Sequence, residues 1–218
     1  MNFTRQNPSS RYRELLQLYR EMHAQGEKFL GIPPEMTFPG KSLYAQSPRI
    51  TKLIRRTGAR TILDYGSGKG RQYDEQPLVA ESGKRWSSIL DYWDLDTVTC
   101  YDPAYGPFSG LPEGKFDGVI CTDVMEHCPE EDIPWIAAEI FGYATRFVFL
   151  NAACFPAQKR LPSGENAHCT VRPPDWWEAT FGEVAAGHPE VLWQLWVTYL
   201  PPGGGPTDLV ERCIGNDR

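Results

Sequence analysis

Between residues 10 and 29 the apolar positions Tyr12, Leu15, Leu16, Tyr19 and Met22 recur at helical spacing, predicting an N-terminal helix stopped by Gly31-Ile32-Pro33-Pro34. A loop punctuated by Pro39 and Gly40 follows, and Ile50, Leu53 and Ile54 mark one side of a second helix over 48–57. Beyond it the pattern changes. Short apolar runs at 61–65, 98–101, 118–122 and 147–150 alternate with helical or loop segments, and two longer runs at 191–200 and 209–214 end the chain. The first four are almost continuously apolar, as parallel strands covered on both faces must be. The last two flank the turn Pro201-Pro202-Gly203-Gly204-Gly205-Pro206 and so suit an antiparallel pair. Together they predict an α/β fold: a doubly wound, mostly parallel sheet with a C-terminal antiparallel strand pair and an N-terminal helical extension. Residues 1–47 are expected to form a helical lid segment and 48–218 the sheet domain.

Composition adds exclusions. The 218 residues, 41% hydrophobic and 23% charged, suit a globular domain with a substantial core. No run approaches the roughly 18 apolar residues of a membrane helix, and Met1-Asn2-Phe3-Thr4-Arg5 lacks the apolar stretch of a signal peptide, so a cytoplasmic protein without membrane contact is expected. Cys100, Cys121, Cys128, Cys154, Cys169 and Cys213 form no CxxC pair and often sit in apolar runs, as free thiols do. A net charge of -6 gives no general attraction for polyanions. The clusters Arg5, Arg11, Arg13, Arg20 and Lys52, Arg55, Arg56, Arg60 leave nucleic-acid binding open without supporting it.

The run at 61–65 leads into Asp64-Tyr65-Gly66-Ser67-Gly68-Lys69-Gly70. Glycines between a strand and a helix let the backbone approach a ligand, with helix N-terminal amides turned toward it. A dinucleotide fingerprint spaces them G-x-G-x-x-G around a pyrophosphate. Here the spacing is acid-x-G-x-G-x-G, which resembles motif I of class I S-adenosylmethionine (SAM)-dependent methyltransferases of the type 11/12-like group. The resemblance implies a Rossmann-like sheet and SAM as cofactor. It sets Asp64 near the methionine portion, with Gly66, Ser67, Gly68 and Gly70 lining it; an acid there suits the ammonium and sulfonium of SAM. Asp102, before Pro103 at the end of the run 98–101, can accept both ribose hydroxyls through its two oxygens. It lies further along than the usual spacing of about 20 residues, so an insertion within 71–96 is expected.

A second motif, Phe116-Asp117-Gly118-Val119-Ile120-Cys121-Thr122-Asp123-Val124-Met125-Glu126-His127, resembles the "FD-x-V…E-H" signature of the same broad group. Ligands in open α/β sheets bind beyond the carboxyl ends of strands, so Asp123, Glu126 and His127 are expected at the reaction centre, with Asp123 also beside the cofactor. They are hard or borderline metal ligands, and a helical turn would gather them. Acid-x-x-Glu-His with a later His resembles the magnesium or manganese site of small-RNA terminal ribose methyltransferases and, in part, that of the ubiquinone O-methyltransferases; the later His would be His168. Two readings stay open: a divalent cation held by Asp123, Glu126, His127 and His168 that binds substrate oxygens, or metal-free catalysis with His127 titrating near 6.5 as general base.

The acceptor is less legible. Trp176 and Trp177 beside Arg172 suit either stacking of a planar substrate or anchoring of a helix, and His23, Lys41 and Tyr44 either close over the cofactor or pack. Thr122-Asp123-Val124-Met125 replaces the Asn/Asp-Pro-Pro-Tyr of amino-methylating DNA enzymes, and Cys128-Pro129 reverses the Pro-Cys of carbon-5 enzymes. The resulting expectation is O-directed methyl transfer to a small-molecule or nucleotide-like acceptor. The alternatives are a SAM-binding module or inactive homologue without methyl transfer and, disfavoured by the glycine spacing, an NAD-dependent oxidoreductase.

Overall fold

The computed structural model describes residues 3–74, 78–79, 83–205 and 207–217. Helix α1 (Ser10–Gln25) is capped by Ser9, whose side chain accepts from the Tyr12 amide. Ser9 is also tied to Asp132, through its backbone N–H at 3.0 Å and through its hydroxyl. The helix ends earlier than its apolar pattern suggests. Gly26 takes φ +87°, and a Cβ there would meet the Ile32 carbonyl oxygen at 2.3 Å. The next helix, α2 (Leu43–Thr57), starts before Pro48 and carries that proline inside it. Its first bonds, from Leu43, Tyr44 and Ala45 to Gly40, Lys41 and Ser42, are of the tighter i→i+3 kind, a lead-in that no apolar periodicity announces. The division expected at 47/48 therefore falls inside a helix.

The strands follow as β1 (Thr61–Tyr65), the short pair β2 (Leu78–Val79) and β3 (Arg85–Trp86), β4 (Thr97–Tyr101), β5 (Phe116–Thr122), β6 (Ala144–Ala153), β7 (Leu192–Tyr199) and β8 (Val210–Gly215). Helices α3 (Ile89–Trp93), α4 (Ile133–Tyr143) and α5 (Pro174–Ala185) intervene. The main sheet has the order β4-β1-β5-β6-β7-β8. All neighbours are parallel except β7 and β8, which pair antiparallel at the edge. The fold is thus Rossmann-like, as expected. Of the turn between β7 and β8, Pro206 lies outside the described residues.

Alternation along the buried strands feeds two cores. Leu63, Val119, Cys121, Val148 and Leu150 face α4 and α5 with Trp177 and Phe181, while Ile62, Ile120, Phe147 and Phe149 face α2 and α3. The chain leaves β1 for β4 on one side, and β5 lies on the other side of β1. That reversal opens a crevice at the carboxyl ends of these strands. The lengthened first crossover holds β2, β3 and α3, although 75–77 and 80–82 within it lie outside the described residues. One expectation fails here: among the described residues the glycine loop enters a three-residue 3-10 turn, Arg71–Tyr73, rather than an α-helix. No helix among the described residues is long and apolar enough to cross a membrane.

Candidate active site

Gly66, Gly68 and Gly70 all have positive φ. A Cβ on Gly66 would meet Val124 at 2.3 Å, and one on Gly68 the Phe38 carbonyl oxygen at 2.4 Å, so close approach as well as dihedral demands glycine. The loop amides are already spent. Gly66 and Ser67 donate to the Tyr101 carbonyl, Gly68 to Asp102 Oδ2, Lys69 to the Phe38 carbonyl and Gly70 to the Ser67 carbonyl. A pyrophosphate cradle needs such amides free, and this loop offers it none.

Asp102, at the end of β4, accepts from Gly68 N–H at 3.0 Å through Oδ2 and from Ala104 N–H at 2.8 Å through Oδ1. Burial raises its pKa to about 6 against these bonds. Each oxygen keeps one lone-pair direction, enough for two hydroxyls. Asp64 sits deeper: Oδ2 accepts from Gln72 and Tyr73, both at 2.8 Å, and burial raises this carboxyl to about 6 as well. Asp64 lines neither cavity, so it can act on a cofactor only from behind the loop.

One cavity, of about 130 Å³, lies under α1 between Asp102, Pro103 and Ala104 on one side and Tyr12, Leu16 and His23 on the other. A wider cleft of about 640 Å³, within the usual range for small-molecule sites, holds Lys41, Ser67, Glu126, Lys159 and His168. Phe38, Gly66, Gly68, Asp123 and His127 line both.

A 3-10 turn, Met125–His127, follows β5 and brings Glu126 and His127 to His168, one candidate ligand atom from each lying within 4.8 Å of the others. Glu126 is fully buried; Oε1 accepts from Ala153 N–H at 3.0 Å, and Oε2 has no partner. Burial, then the charge of Asp123, pushes its pKa up to about 8. His127 Nδ1 lies 2.9 Å from the Ala167 carbonyl and 2.8 Å from the Tyr19 hydroxyl, which itself donates to that carbonyl at 2.7 Å. His168 Nδ1 lies 2.6 Å from the Phe155 carbonyl. Both rings must therefore carry their proton on Nδ1, which leaves the Nε2 lone pair free. Carbonyl-oriented imidazoles beside an unpartnered carboxyl oxygen are donors that could hold a divalent cation.

Two expectations change. Asp123 stands outside this group: it takes φ +54° and accepts from the Asn151 amide. Burial, then His168, lowers the His127 pKa to about 3, too weak for the metal-free general base expected near 6.5. Trp177 is a core residue whose indole donates to the Arg172 carbonyl, and Trp176 packs beside it, so the pair anchors α5 and does not line the cleft. Arg172 pairs with Glu130, Arg56 with Asp217, Arg60 with Asp94 and Asp96, and Arg5 with Glu139. None of the six cysteines forms a disulfide. Of the residues that sequence missed, Tyr19 was hidden among core positions of α1, whereas Asn151 announces itself as the polar residue that ends an apolar run.

Among the described residues, the buried side-chain polar atoms without a hydrogen-bond partner belong to Asp64, Ser67, Gln72, Glu126 and Asn151. All sit in β1, β5 or β6 or in the turns after them, the crevice where a ligand would complete them. Compared with known proteins, the chain matches no family model, no curated protein and no solved structure.

Proposed function

We propose that the chain is a SAM-dependent methyltransferase acting on an oxygen of a small-molecule or nucleotide-like acceptor, with a divalent cation, magnesium or manganese, held by Glu126, His127 and His168. The observation that carries the reading is the junction of the two cavities at Gly66, Gly68, Asp123 and His127. A ligand whose ribose lies at Asp102 would bring its reactive end there, beside the Glu126 cluster.

Asp102 supplies acceptors for the ribose, and Gly66 and Gly68 let the backbone close on the amino-acid end. Buried Glu126, protonated at neutral pH by its raised pKa, would give up that proton to a cation and supply a carboxylate oxygen, and the two imidazoles, neutral through burial, would give nitrogen lone pairs. A cation bound there lowers the pKa of an acceptor hydroxyl and fixes its oxygen. The protein's own part is positioning: the oxygen attacks the methyl carbon in line, the C–S bond breaks as the C–O bond forms, S-adenosylhomocysteine leaves, and the hydroxyl proton passes to water. Leu30, Met36 and Phe155 line the cleft, with Lys159, whose charge acts on both histidines.

Calorimetric titration with SAM, S-adenosylhomocysteine and NAD tests the cofactor. The two sulfur ligands are expected to bind and NAD not; the reverse would overturn the reading. Mn²⁺ titration, followed by calorimetry, is expected to show one site that His168→Ala removes.

A further inference from the structure

Helix α1 carries His23 into the smaller cavity, where the imidazole is held between Phe38 and Tyr105, each ring centroid 5.0 Å away. The Lys69 ammonium lies 3.4 Å from Nδ1 and donates at 3.0 Å to the His23 carbonyl. An ammonium has only donors, so Nδ1 accepts and the ring proton sits on Nε2. Burial, then the Lys69 charge, lowers the pKa to about 4, and the ring is neutral. Nε2 stands 3.8 Å from Asp102 Oδ2, too far for a direct bond. It is near enough for one oxygen to touch both. That oxygen has a defined chemistry: it must accept from Nε2–H and donate to a carboxylate, as a hydroxyl does.

We infer that His23 and Asp102 jointly bind one ribose hydroxyl of the cofactor, which makes α1 part of the cofactor site. The inference rests on the cofactor reading above and goes beyond it, because it assigns a ligand to a helix outside the sheet. Lys69, next to the glycine loop, sets the tautomer, so loop and helix act on one imidazole. Binding of the cofactor and docking of α1 are then coupled equilibria, each strengthening the other.

The test is calorimetry on the full chain with S-adenosylhomocysteine and its 2′-deoxy and 3′-deoxy analogues. His23→Phe keeps the ring between Phe38 and Tyr105 and removes the donor. It is expected to bind S-adenosylhomocysteine roughly 5- to 10-fold more weakly, the share of one hydrogen bond. It should also show a smaller penalty than the wild type for one of the two deoxy analogues, by about the His23 share, and an unchanged penalty for the other. Equal affinity in a folded His23→Phe protein overturns the assignment of His23 alone, whereas no binding to the wild type overturns the cofactor reading itself. Hydrogen exchange on the wild type gives a second measurement that needs no variant. Slower exchange of α1 amides with S-adenosylhomocysteine supports the coupling, and unchanged exchange in the presence of bound ligand refutes it.

Discussion

Asp102 and Glu126 are both buried acids at carboxyl ends of strands in one sheet, yet the two halves of the crevice are built on opposite plans. Both Asp102 oxygens accept backbone N–H groups, and the acid pins the glycine loop to the turn after β4. Glu126 has one oxygen on the Ala153 amide and the other on nothing. The Asp102 carboxylate is thus held by backbone N–H groups on both oxygens and keeps only spare lone pairs, whereas Glu126 leaves one oxygen bare in the interior. A bare buried oxygen costs about 1–3 kcal/mol. That cost is tolerable where a ligand repays it, and it distinguishes a site that waits for a partner from one that is preformed.

The sharpest break in this comparison comes from Glu126→Gln. The amide oxygen still accepts from Ala153, but the anionic ligand is gone. Mn²⁺ affinity and metal-dependent methyl transfer are expected to fall more than about 100-fold, beyond the range for outer-shell changes. Asp102→Asn should instead strike cofactor affinity. Mn²⁺ binding at wild-type strength in a folded Glu126→Gln protein would show that Oε2 is an orphan without a function.

Asp102→Asn also tests how fully the backbone bonds satisfy the Asp102 carboxylate. Burial raises the Asp102 pKa to about 6 from an ordinary 3.8 despite its backbone bonds. A carboxyl raised in the folded state contributes stability that is full below about pH 4 and lost as pH rises through about 6. Asparagine does not titrate. Between pH 4 and 7 the stability of the variant relative to wild type should therefore rise by roughly 2–3 kcal/mol, measured by chemical denaturation without ligand. At the same time S-adenosylhomocysteine affinity should drop by about 1.5–3 kcal/mol. A stability difference that stays flat with pH would mean that the backbone bonds fully offset burial.

How far each half was legible follows from the same contrast. The sheet was readable because parallel strands must be apolar throughout, and the runs containing Ile62, Ile120 and Phe149 marked them. Strand ends were not, because β6 continues through Thr145 and Arg146 at one end and Asn151 at the other, where polarity serves the surface or the crevice. Spacing located the glycines and the Glu126-His127 pair, the resemblance added His168, and the three do come together. Spacing erred at Asp123 only in adding it to that ligand group: Asp123 lines both cavities, but its backbone turns into positive φ and its carboxylate accepts from Asn151. The helix expected after the glycines is another miss: Gln72 and Tyr73 are spent on Asp64, and the turn goes no further. Charges on imidazoles were illegible altogether, since only the folded surroundings reveal that burial keeps His23 and His127 neutral.

The smallest expected effect belongs to Tyr19, which lines the cavity beside Asp102 while its hydroxyl faces His127 Nδ1. Tyr19→Phe preserves the edge-on ring contacts with Phe38 and His127, at 5.8 and 5.6 Å, and removes only the hydroxyl. The Ala167 carbonyl stays 2.9 Å from Nδ1, so the tautomer survives with one orienting partner instead of two. Mn²⁺ affinity should fall by about 10-fold or less, the lower end of what outer-shell partners contribute. The metal concentration for half-maximal activity should rise with it, while the rate at saturating metal changes less. A residue that merely filled space would lower the melting temperature and leave the metal constant where it was. That result would detach α1 from the Glu126 group and confine its role to the cavity beside Asp102.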